Sequence, residues 1–250
     1  MNIKNISIAA TPKKNNMYER SVKQWNPFVG CCFHCTYCAT SFQRQAKRQK
    51  HRCFDCYAYK PHQHPKRLTE SLPATKPGEF IFTCANGDVV FCDTWYLKRI
   101  IDRIRSEPSK TFLLQSKCPE TFGRVEYPEN LILGTTIETN RDHLAMAVAG
   151  APAPSLRFAA FKKIRHTRKM VTVEPVMEFD LEVMVDWITQ IQPEMVWIGY
   201  DSKKNNLPEP SREKVEALGN ALKQKDITVL YKTMREARAQ VPHNNGGLRL

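Results

Sequence analysis

Short apolar segments alternate with amphipathic helical segments along most of this chain of 250 residues. Residues 80–84 are mostly apolar, and in 95–105 Leu and Ile recur at the i, i+3, i+4, i+7 spacing of an amphipathic helix. Strands that alternate with helices form βαβ units and a parallel sheet. We therefore predict an α/β protein whose sheet curls into a full or partial barrel or is doubly wound. The predicted strands lie in 21–30, 80–84, 111–115, 131–137, 171–173, 196–199 and 227–231, with further helices in 142–149, 156–164, 181–188 and 215–222.

The carboxyl ends of these strands are the predicted location of the functional site, because both architectures place it there. Polar residues sit at these ends. They include residues 30, 84–88, 116–118, 138–140, 174–175, 200–202 and 232.

Three cysteines, Cys31, Cys35 and Cys38, directly follow the first strand with the spacing C-x3-C-x2-C. Three thiolates on one tight loop can ligate three irons of a 4Fe-4S cluster. The fourth iron then has no protein ligand, and an open coordination site of this kind is where a substrate or cofactor binds a metal. The alternative is a zinc site completed from among Cys32, His34, Cys53 and Cys56.

This cysteine spacing, with Tyr37 before the last cysteine and a strand before the first, resembles the radical S-adenosylmethionine (SAM) superfamily. Other segments resemble a phage-associated family of small radical SAM proteins of unknown function, which is similar in turn to spore photoproduct lyase. The resemblance covers residues 22–235 and departs from the family near Ala39, where many members have a tyrosine, and at the extra cysteines of 52–56. The matching segments are WNPFVGC (25–31), HPKRL (64–68), GDVVF (87–91), TFLLQSKCPE (111–120), TTIETN (135–140), VTVEPV (171–176) and IGYDS (198–202).

The resemblance implies a partial (β/α)6-type TIM barrel with a Cys/His-rich insertion after the first strand. We expect the barrel over 21–235, with the basic insertion over 39–78, a flexible amino-terminal arm over 1–20 and a carboxyl-terminal tail over 236–250. The resemblance also implies an enzyme that cleaves SAM reductively at a 4Fe-4S cluster, giving a 5′-deoxyadenosyl radical that abstracts hydrogen from a substrate. An electron donor such as flavodoxin or ferredoxin is implied as a partner.

The same resemblance implies that residues at the strand ends contact SAM. Residues 86–88 offer acceptors for its amino group and a glycine for close backbone approach, and Lys117 can pair with its carboxylate. The alternatives are an ordinary turn, a solvated lysine and, for Glu174, a buried ion pair with Lys232. The expected contact residues are Tyr37, Asn86, Gly87, Asp88, Ser116, Lys117, Thr136, Glu138 and Glu174.

Cys84 is the predicted catalytic hydrogen donor. In spore photoproduct lyase, a cysteine two positions before a SAM-contacting residue returns a hydrogen atom to the product radical, and Cys84 stands two positions before Asn86. Cys118 is the second candidate for this role. The alternative for Cys84 is a small buried hydrophobic side chain, as most free cysteines are.

A second cluster of metal-ligand residues lies between 51 and 64. C-x2-C followed by H-x-H is a zinc-binding pattern. An auxiliary iron–sulfur cluster that recruits Cys32 or Cys92 is the alternative, and His64 belongs to the HPKRL match, so a structural role for it stays open. The candidate ligands are Cys53, Cys56, His62 and His64, with His51 nearby.

The chain has 38 Lys and Arg against 25 Asp and Glu, which gives a net charge of +13. This excess indicates an anionic partner, and we expect a nucleic acid or nucleotide substrate whose base is repaired or modified. In the insertion, Phe54, Tyr57 and Tyr59 interleave with a basic stretch over 44–52, which can contact phosphates and stack on bases. A solvated helix face is the alternative for that stretch.

The sequence also bears on compartment. No apolar run approaches the ~18–20 residues of a membrane span, and the amino terminus lacks the apolar region of a signal peptide. We expect a cytoplasmic protein without membrane contact. Nine cysteines, an odd number in a chain of this size, argue against a disulfide framework.

Two other functions stay open from the sequence, because fold alone does not decide function. One is a non-catalytic zinc-containing nucleic-acid-binding protein on a similar α/β scaffold, with its metal on Cys53 and Cys56. The other is a radical SAM fold that serves as a redox sensor or assembly partner.

Overall fold

A computed structural model describes residues 18–232 and 234–238 of the chain. The predicted arm over 1–20 lies outside the described residues except for its last three, and the predicted tail over 236–250 except for its first three. In the described part of the arm, Tyr18 is fully buried, and its ring packs against Phe80, Phe82 and Trp197. Tyr18 is therefore part of the packed structure.

Seven parallel strands form one sheet, and their order in the sheet is their order in the chain. This confirms the predicted α/β partial barrel and its insertion after the first strand, with one strand more than the six of the (β/α)6 type. The strands are β1 (Ser21–Trp25), β2 (Phe80–Thr83), β3 (Phe112–Gln115), β4 (Leu131–Thr136), β5 (Lys169–Val173), β6 (Met195–Ile198) and β7 (Thr228–Tyr231).

Five helices lie between β2 and β7, close to the predicted positions. One follows β2, two follow β4, and one each follows β5 and β6, whereas β3 is followed by the short helical turn Pro119–Gly123. They are α1 (Thr94–Arg105), α2 (Asp142–Met146), α3 (Pro154–Lys163), α4 (Leu181–Ile191) and α5 (Arg212–Lys223). The predicted apolar stripe of α1 is buried. In the described part of the chain, no helix combines the length and the apolar character needed to cross a bilayer.

Helix α2 ends earlier than predicted because its carboxyl-terminal segment pairs with the cysteine loop. The Thr36 N–H donates to the Val148 carbonyl at 2.9 Å, and the Gly150 N–H donates to the Phe33 carbonyl at 2.7 Å. Backbone groups used in this way are not available to continue the helix. The segment after α2 thereby supports the loop that contains the three cysteines.

The two faces of the sheet build two apolar cores, because successive side chains of a strand point to opposite faces. The larger core lies between sheet and helices and includes Leu114 and Val171 from the strands and Ile101 from α1. The smaller core lies on the inner face of the sheet. There, Phe82 and Leu113 pack in one cluster with Tyr18 and Trp197. The helices therefore cover the outside of the partial barrel.

The inner face becomes polar toward the carboxyl ends of the strands. The Tyr18 hydroxyl lies 2.9 Å from Gln115 Oε1 and 2.9 Å from Thr172 Oγ1. Gln115 Nε2 donates to the hydroxyls of Thr136 and Thr172, each at 3.1 Å. This polar layer separates the apolar inner core from the predicted site.

The insertion after β1 contains a small antiparallel ribbon and short helical turns. Phe28–Val29 pairs with His62–Gln63, so the strand predicted through residue 30 leaves the main sheet after Trp25. The basic stretch predicted as one helix is a series of short turns. The helical segments are Thr36–Cys38, Ala39–Gln43, Arg44–Ala46, Lys47–Gln49, Phe54–Ala58 and Pro65–Thr69.

Candidate functional site

The three cysteines of the predicted cluster loop lie together beyond the carboxyl end of β1. Cys35 is buried, and Cys31 and Cys38 are half-buried. All three belong to one apolar cluster with Phe33 and Ala151. No disulfide joins any of the nine cysteines, all of which lie in the described part of the chain. The loop therefore presents three free thiols in one place.

The surroundings of these cysteines disfavour the thiolate form unless a cation is present. Burial raises the pKa of the Cys31 thiol far above its ordinary value, and Asp88 and the other two thiols raise it further. Burial also raises the pKa of the Cys38 thiol, and the nearby Cys35 raises it further. Metal charge removes such repulsion wherever thiolates are gathered. The donor set therefore fits a 4Fe-4S cluster bound by three thiolates.

The structure does not assemble the single zinc site considered as the alternative. Cys32 and His34 are exposed, and Cys53 and Cys56 converge on two histidines of the insertion. The chain thus separates its candidate cysteine ligands into two groups.

Gly87 lies against the backbone of Gly30, with which it forms a parallel bridge. A Cβ atom on Gly87 would lie 2.8 Å from the Gly30 oxygen and 2.9 Å from its nitrogen. The Gly30 N–H donates to the Asn86 carbonyl at 3.0 Å, and the Asp88 N–H donates to the Gly30 carbonyl at 3.1 Å. A close backbone approach at Gly87 is therefore made with Gly30, and it holds the cysteine loop against the 84–88 turn.

The Asp88 carboxylate is buried and fixes the turn after β3. It accepts hydrogen bonds from the Ser116 hydroxyl at 2.6 Å, the Lys117 N–H at 2.8 Å and the Val90 N–H at 3.1 Å. Burial raises its pKa, and these hydrogen bonds oppose the rise. Ser116 is also buried. Asp88 and Ser116 therefore position the backbone of Lys117.

Glu138, just beyond β4, is the centre of a buried charged group. Its side chain is 1% exposed. It accepts hydrogen bonds from the Tyr37 hydroxyl at 2.5 Å, Lys117 Nζ at 2.5 Å and Arg157 Nη1 at 2.7 Å. Burial acts to raise its pKa, but the charges of Arg157 and Lys117 outweigh burial and lower the pKa to about 2. Glu138 is therefore an anion that binds two cations.

The other predicted contact residues have different surroundings. Glu174 forms an ion pair with Lys232, which was the alternative left open for it, and burial raises its pKa against the effect of that lysine. Thr136 belongs to the polar layer of the inner face. Asn86 is half-buried, and its backbone N–H donates to Asn26 Oδ1 at 2.9 Å.

The predicted position of Cys84 inside the barrel is wrong. Cys84 is 2% exposed and packs in the larger core, between sheet and helices, together with Cys92 and Tyr96. Strand alternation would point it inward, as it does Phe82, but the strand ends at Thr83 and Cys84 has a left-handed φ of 54°. This backbone conformation turns the side chain to the other face. Cys84 is a buried hydrophobic residue here.

Cys118 lies beside the cluster loop. It is half-buried and packs against the apolar cluster that contains Phe33 and Cys35. Its thiol donates to Glu120 Oε2 at 3.3 Å. Burial and Glu120 together raise its pKa to about 11, so that it carries its proton at neutral pH.

The four candidate ligands of the insertion come together as predicted. The ligand atoms of Cys53, Cys56, His62 and His64 all lie within 4.8 Å of one another. Burial, with a contribution from the charge of Arg67, lowers the pKa of His64 to about 4, so its imidazole is neutral at pH 7. The two cysteines considered for an auxiliary cluster lie elsewhere, Cys32 exposed and Cys92 in the larger core.

Two residues of the site were not predicted. Arg157 is fully buried on α3, and the only signal in the sequence is one arginine between Leu156 and Phe158 on a helix. Tyr59, predicted to stack on bases, instead is buried against the cluster loop. Its carbonyl accepts the Cys31 N–H at 3.4 Å, and its hydroxyl lies 3.9 Å from the sulfur of Cys38.

Comparison with solved structures identifies the class of fold. The chain is similar to a variant of spore photoproduct lyase, with a TM-score of 0.56 and 13% identity over 86% of this chain and 76% of that chain. It also matches a radical SAM methyltransferase from Sphaerobacter thermophilus, with a TM-score of 0.48 and 12% identity over 87% of this chain and 67% of that chain. The chain has the radical SAM fold that its sequence predicted.

Comparison with family models identifies the family. Residues 16–240 match the family DUF5131, which is described as a protein of unknown function. The chain belongs to this family. No curated protein matches its sequence. The matched range agrees with the 22–235 range over which the sequence resembles small radical SAM proteins.

Proposed function

We propose that the protein is a radical SAM enzyme whose 4Fe-4S cluster is bound by Cys31, Cys35 and Cys38. The observation that carries this proposal is the gathering of three free thiols beyond the carboxyl end of β1, on a fold of the radical SAM class. Such a cluster would supply a 5′-deoxyadenosyl radical from bound SAM, given an electron from a donor such as flavodoxin or ferredoxin. The residues around the loop bind and orient the reactants.

Lys117 is the residue that we propose for the SAM carboxylate. Two cations meet one carboxylate at Glu138, so this group has a surplus of positive charge. Arg157 is fully buried, whereas the Lys117 side chain is 17% exposed and is the cation that a ligand can reach. A carboxylate ligand makes a charge-assisted hydrogen bond there. Glu138 and Asp88 position the lysine from its side chain and its backbone.

Asn86 is the residue that we propose for the SAM amino group. In the 86–88 turn, Gly87 packs on the cysteine loop and Asp88 already accepts three hydrogen bonds. The Asn86 amide is the remaining acceptor of this turn. Tyr37, whose hydroxyl is bound to Glu138, presents its ring on the same side as Lys117, with 5.3 Å from Nζ to the ring centre.

Cys118 is the thiol that we propose as hydrogen donor to a substrate radical. Its thiol is protonated and lies against the cluster loop, whereas Cys84 faces the helices. Glu174 and Lys232 lie on the inner side of the sheet, where a Cβ on Gly199 would contact both of them. We propose that this ion pair forms part of the substrate wall.

A nucleic acid or nucleotide is the substrate class that the surface favours. The basic side chains of 44–52 follow the cluster loop in the chain, and in residues 18–232 and 234–238 none of them pairs with a carboxylate. Phe54 is 67% exposed next to this stretch, and Lys47 lies 4.4 Å from the ring centre of Tyr57. Unpaired cations with exposed aromatic rings are suited to phosphates and bases.

The test is anaerobic reconstitution followed by iron and sulfide analysis and an assay for 5′-deoxyadenosine with SAM and dithionite. We expect iron, sulfide and 5′-deoxyadenosine from the natural chain and from Cys32→Ala, whose exposed thiol lies next to the first ligand. Cys31→Ala, Cys35→Ala and Cys38→Ala should each lose all three. Candidate oligonucleotides that carry deuterium are then assayed for deuterium transfer into 5′-deoxyadenosine.

The same experiment separates the proposal from a non-catalytic nucleic-acid-binding protein. A chain that contains no iron after reconstitution, and that binds DNA in a salt-sensitive way after loss of Cys31, would overturn the enzymatic proposal. Iron and sulfide without 5′-deoxyadenosine would favour a redox sensor.

A further inference from the structure

Four side chains of the insertion point their ligand atoms at one another. Cys56 Sγ lies 3.3 Å from His62 Nε2 and 3.1 Å from His64 Nε2. Cys53 Sγ lies 3.4 Å from the same nitrogen of His62. Of these three sulfur–nitrogen contacts, two involve Cys56 Sγ and two involve His62 Nε2.

Protons alone do not satisfy this arrangement. His62 Nδ1 lies 2.7 Å from the Lys60 carbonyl, so Nδ1 donates a proton to it and, in the neutral ring, Nε2 has a single lone pair. One lone pair does not accept a hydrogen bond from two thiols. Cys56, in turn, has one thiol proton for two imidazoles. A cation shared by all four side chains satisfies each of them.

We propose that Cys53, Cys56, His62 and His64 bind a Zn²⁺ ion. Two thiolates and two imidazoles are a common tetrahedral zinc set, and Zn–S of about 2.3 Å with Zn–N of about 2.0–2.1 Å gives sulfur–nitrogen edges of about 3.6 Å. The three contacts of 3.1–3.4 Å approach that length without an ion. Four protein ligands leave no open position, so the ion is structural.

Supporting contacts around the ligands are those of a metal site. The hydrogen bond from His62 Nδ1 to a backbone carbonyl fixes the ring so that Nε2 faces the ion, as is usual for metal-bound histidine. The Cys56 N–H donates to Cys53 Sγ at 3.4 Å, at the start of the Phe54–Ala58 helix. Such a contact stabilises a thiolate.

The site is joined directly to the loop proposed for the iron–sulfur cluster. His62 pairs with Val29 in the small ribbon, two residues before Cys31. A Cβ on Gly30 would lie 2.1 Å from the Lys60 oxygen, so the two segments touch backbone to backbone. Tyr59, between the cysteines and histidines of the zinc site, contacts both Cys31 and Cys38. We infer that the zinc ion holds residues 53–64 as the support of the cluster loop.

Metal analysis of a chain without the cluster cysteines tests the zinc site independently of the enzymatic proposal. In Cys31→Ala/Cys35→Ala/Cys38→Ala, we expect one equivalent of zinc per chain, and in the Co²⁺-substituted form the visible bands of a tetrahedral thiolate site. Cys53→Ser/Cys56→Ser added to this chain should lose both signals. His51→Gln, which changes an exposed histidine beside the site, should keep them.

The outcomes that overturn the zinc site are also distinct. A full chain or triple variant without zinc would overturn it even if the cluster and 5′-deoxyadenosine are found. Iron and sulfide that persist in the triple variant and depend on Cys53 and Cys56 would instead show an auxiliary iron–sulfur cluster.

The supporting role of the ion has its own readout. Removal of zinc from the triple variant by a chelator should increase amide hydrogen exchange in 28–38. Exchange in β5, which pairs with β4 and β6 inside the main sheet, should stay unchanged. Zinc removal without any change in 28–38 would overturn the structural link, although the zinc site would stand. This link concerns the proposed function only because the same loop contains the proposed cluster ligands.

Discussion

The carboxylate of Glu138 lies 2.7 Å from the guanidinium of Arg157, and both side chains are 1% exposed. Glu138 lies two residues beyond the end of β4 and Arg157 lies on α3, so their contact joins the edge of the sheet to the helical layer. Arg157 also donates to the carbonyls of Thr136 and Pro152, at 2.6 and 2.7 Å. Three hydrogen bonds therefore fix the arginine, and its charge is the larger of the two that keep Glu138 ionised.

Arg157→Met should strongly destabilise the protein. Arg157→Met removes the cation with the larger effect on the pKa of Glu138 together with three buried hydrogen bonds. It leaves the buried carboxylate with Lys117 as its cation, and loss of a buried ionic partner costs about 3–5 kcal/mol. Urea unfolding under anaerobic reducing conditions measures this loss. In the control Arg105→Met, a pair with Asp102 that is at least half exposed is lost, and the cost should stay below about 1 kcal/mol. A similar small cost for both variants would contradict a buried pair.

Glu138 should make stability fall in acid. Its pKa in the folded protein is lowered from 4.5 to about 2, so its contribution is complete above the unfolded pKa and is lost as pH falls from about 4.5 toward 2. The shift corresponds to a contribution on the order of 3 kcal/mol. In Glu138→Gln, the free energy of unfolding should vary less than in the natural chain between about pH 5 and about pH 2, a range that covers that interval.

Exposed Glu129 supplies the control for this pH dependence. Glu129→Gln should follow the curve of the natural chain through the same interval. The prediction is wrong if the Glu138→Gln curve has the slope of the natural chain.

Gly87→Ala should destabilise the contact between the 84–88 turn and the cysteine loop. The new methyl group would meet backbone atoms of Gly30 at 2.8 and 2.9 Å, which do not move without breaking two hydrogen bonds. We expect a loss of about 1–3 kcal/mol by overpacking. Gly123→Ala is the matched control because its Cβ would have no neighbour within 4 Å. Thermal unfolding measures the melting temperatures of both variants. Equal melting temperatures would refute the close contact between Gly87 and the Gly30 backbone.

The sequence predicted the strands well because each β strand has few residues and a strongly apolar pattern. The predicted segment 131–137 differs from the observed Leu131–Thr136 by one residue. The sequence also predicted that the carboxyl ends of the strands face the site. It correctly placed Lys117 and Glu138 at the ends of two neighbouring strands. That follows from topology, because the carboxyl ends of parallel strands meet at one edge.

The parts that the sequence did not predict depend on contacts between distant segments. Cys84 was misplaced because one left-handed residue reverses the strand alternation, and a cysteine gives no signal of that conformation. Arg157 was missed because its partner lies 19 residues away on another element. The sequence could not show that Gly87 packs on Gly30, because a glycine shows only that something approaches closely, and its predicted contact with SAM stays a prediction. The contact of Gly87 with Gly30 joins two distant segments, so only the structure shows it.

Cys118→Ala and Cys84→Ala should separate the two thiols in catalysis. If Cys118 returns hydrogen to a substrate radical, Cys118→Ala forms 5′-deoxyadenosine but loses the normal product. Cys84→Ala should keep product formation and lose stability only, because Cys84 is packed between sheet and helices. Product analysis by mass spectrometry after single turnovers compares them. Loss of product in Cys84→Ala alone would reverse the assignment.

Lys117→Met should weaken SAM binding while the fold is retained. The variant removes the exposed cation of the Glu138 group, but Arg157 and Tyr37 still bind that carboxylate. Loss of a hydrogen bond to a charged group costs about 1.5–3 kcal/mol, which corresponds to roughly a 10- to 100-fold increase in the Kd for SAM. Calorimetric titration of the anaerobically reconstituted protein measures it. Lys98→Met, an exposed lysine on α1, should leave the Kd unchanged. An unchanged Kd in Lys117→Met, with iron content and unfolding midpoint preserved, would show that the SAM carboxylate binds elsewhere.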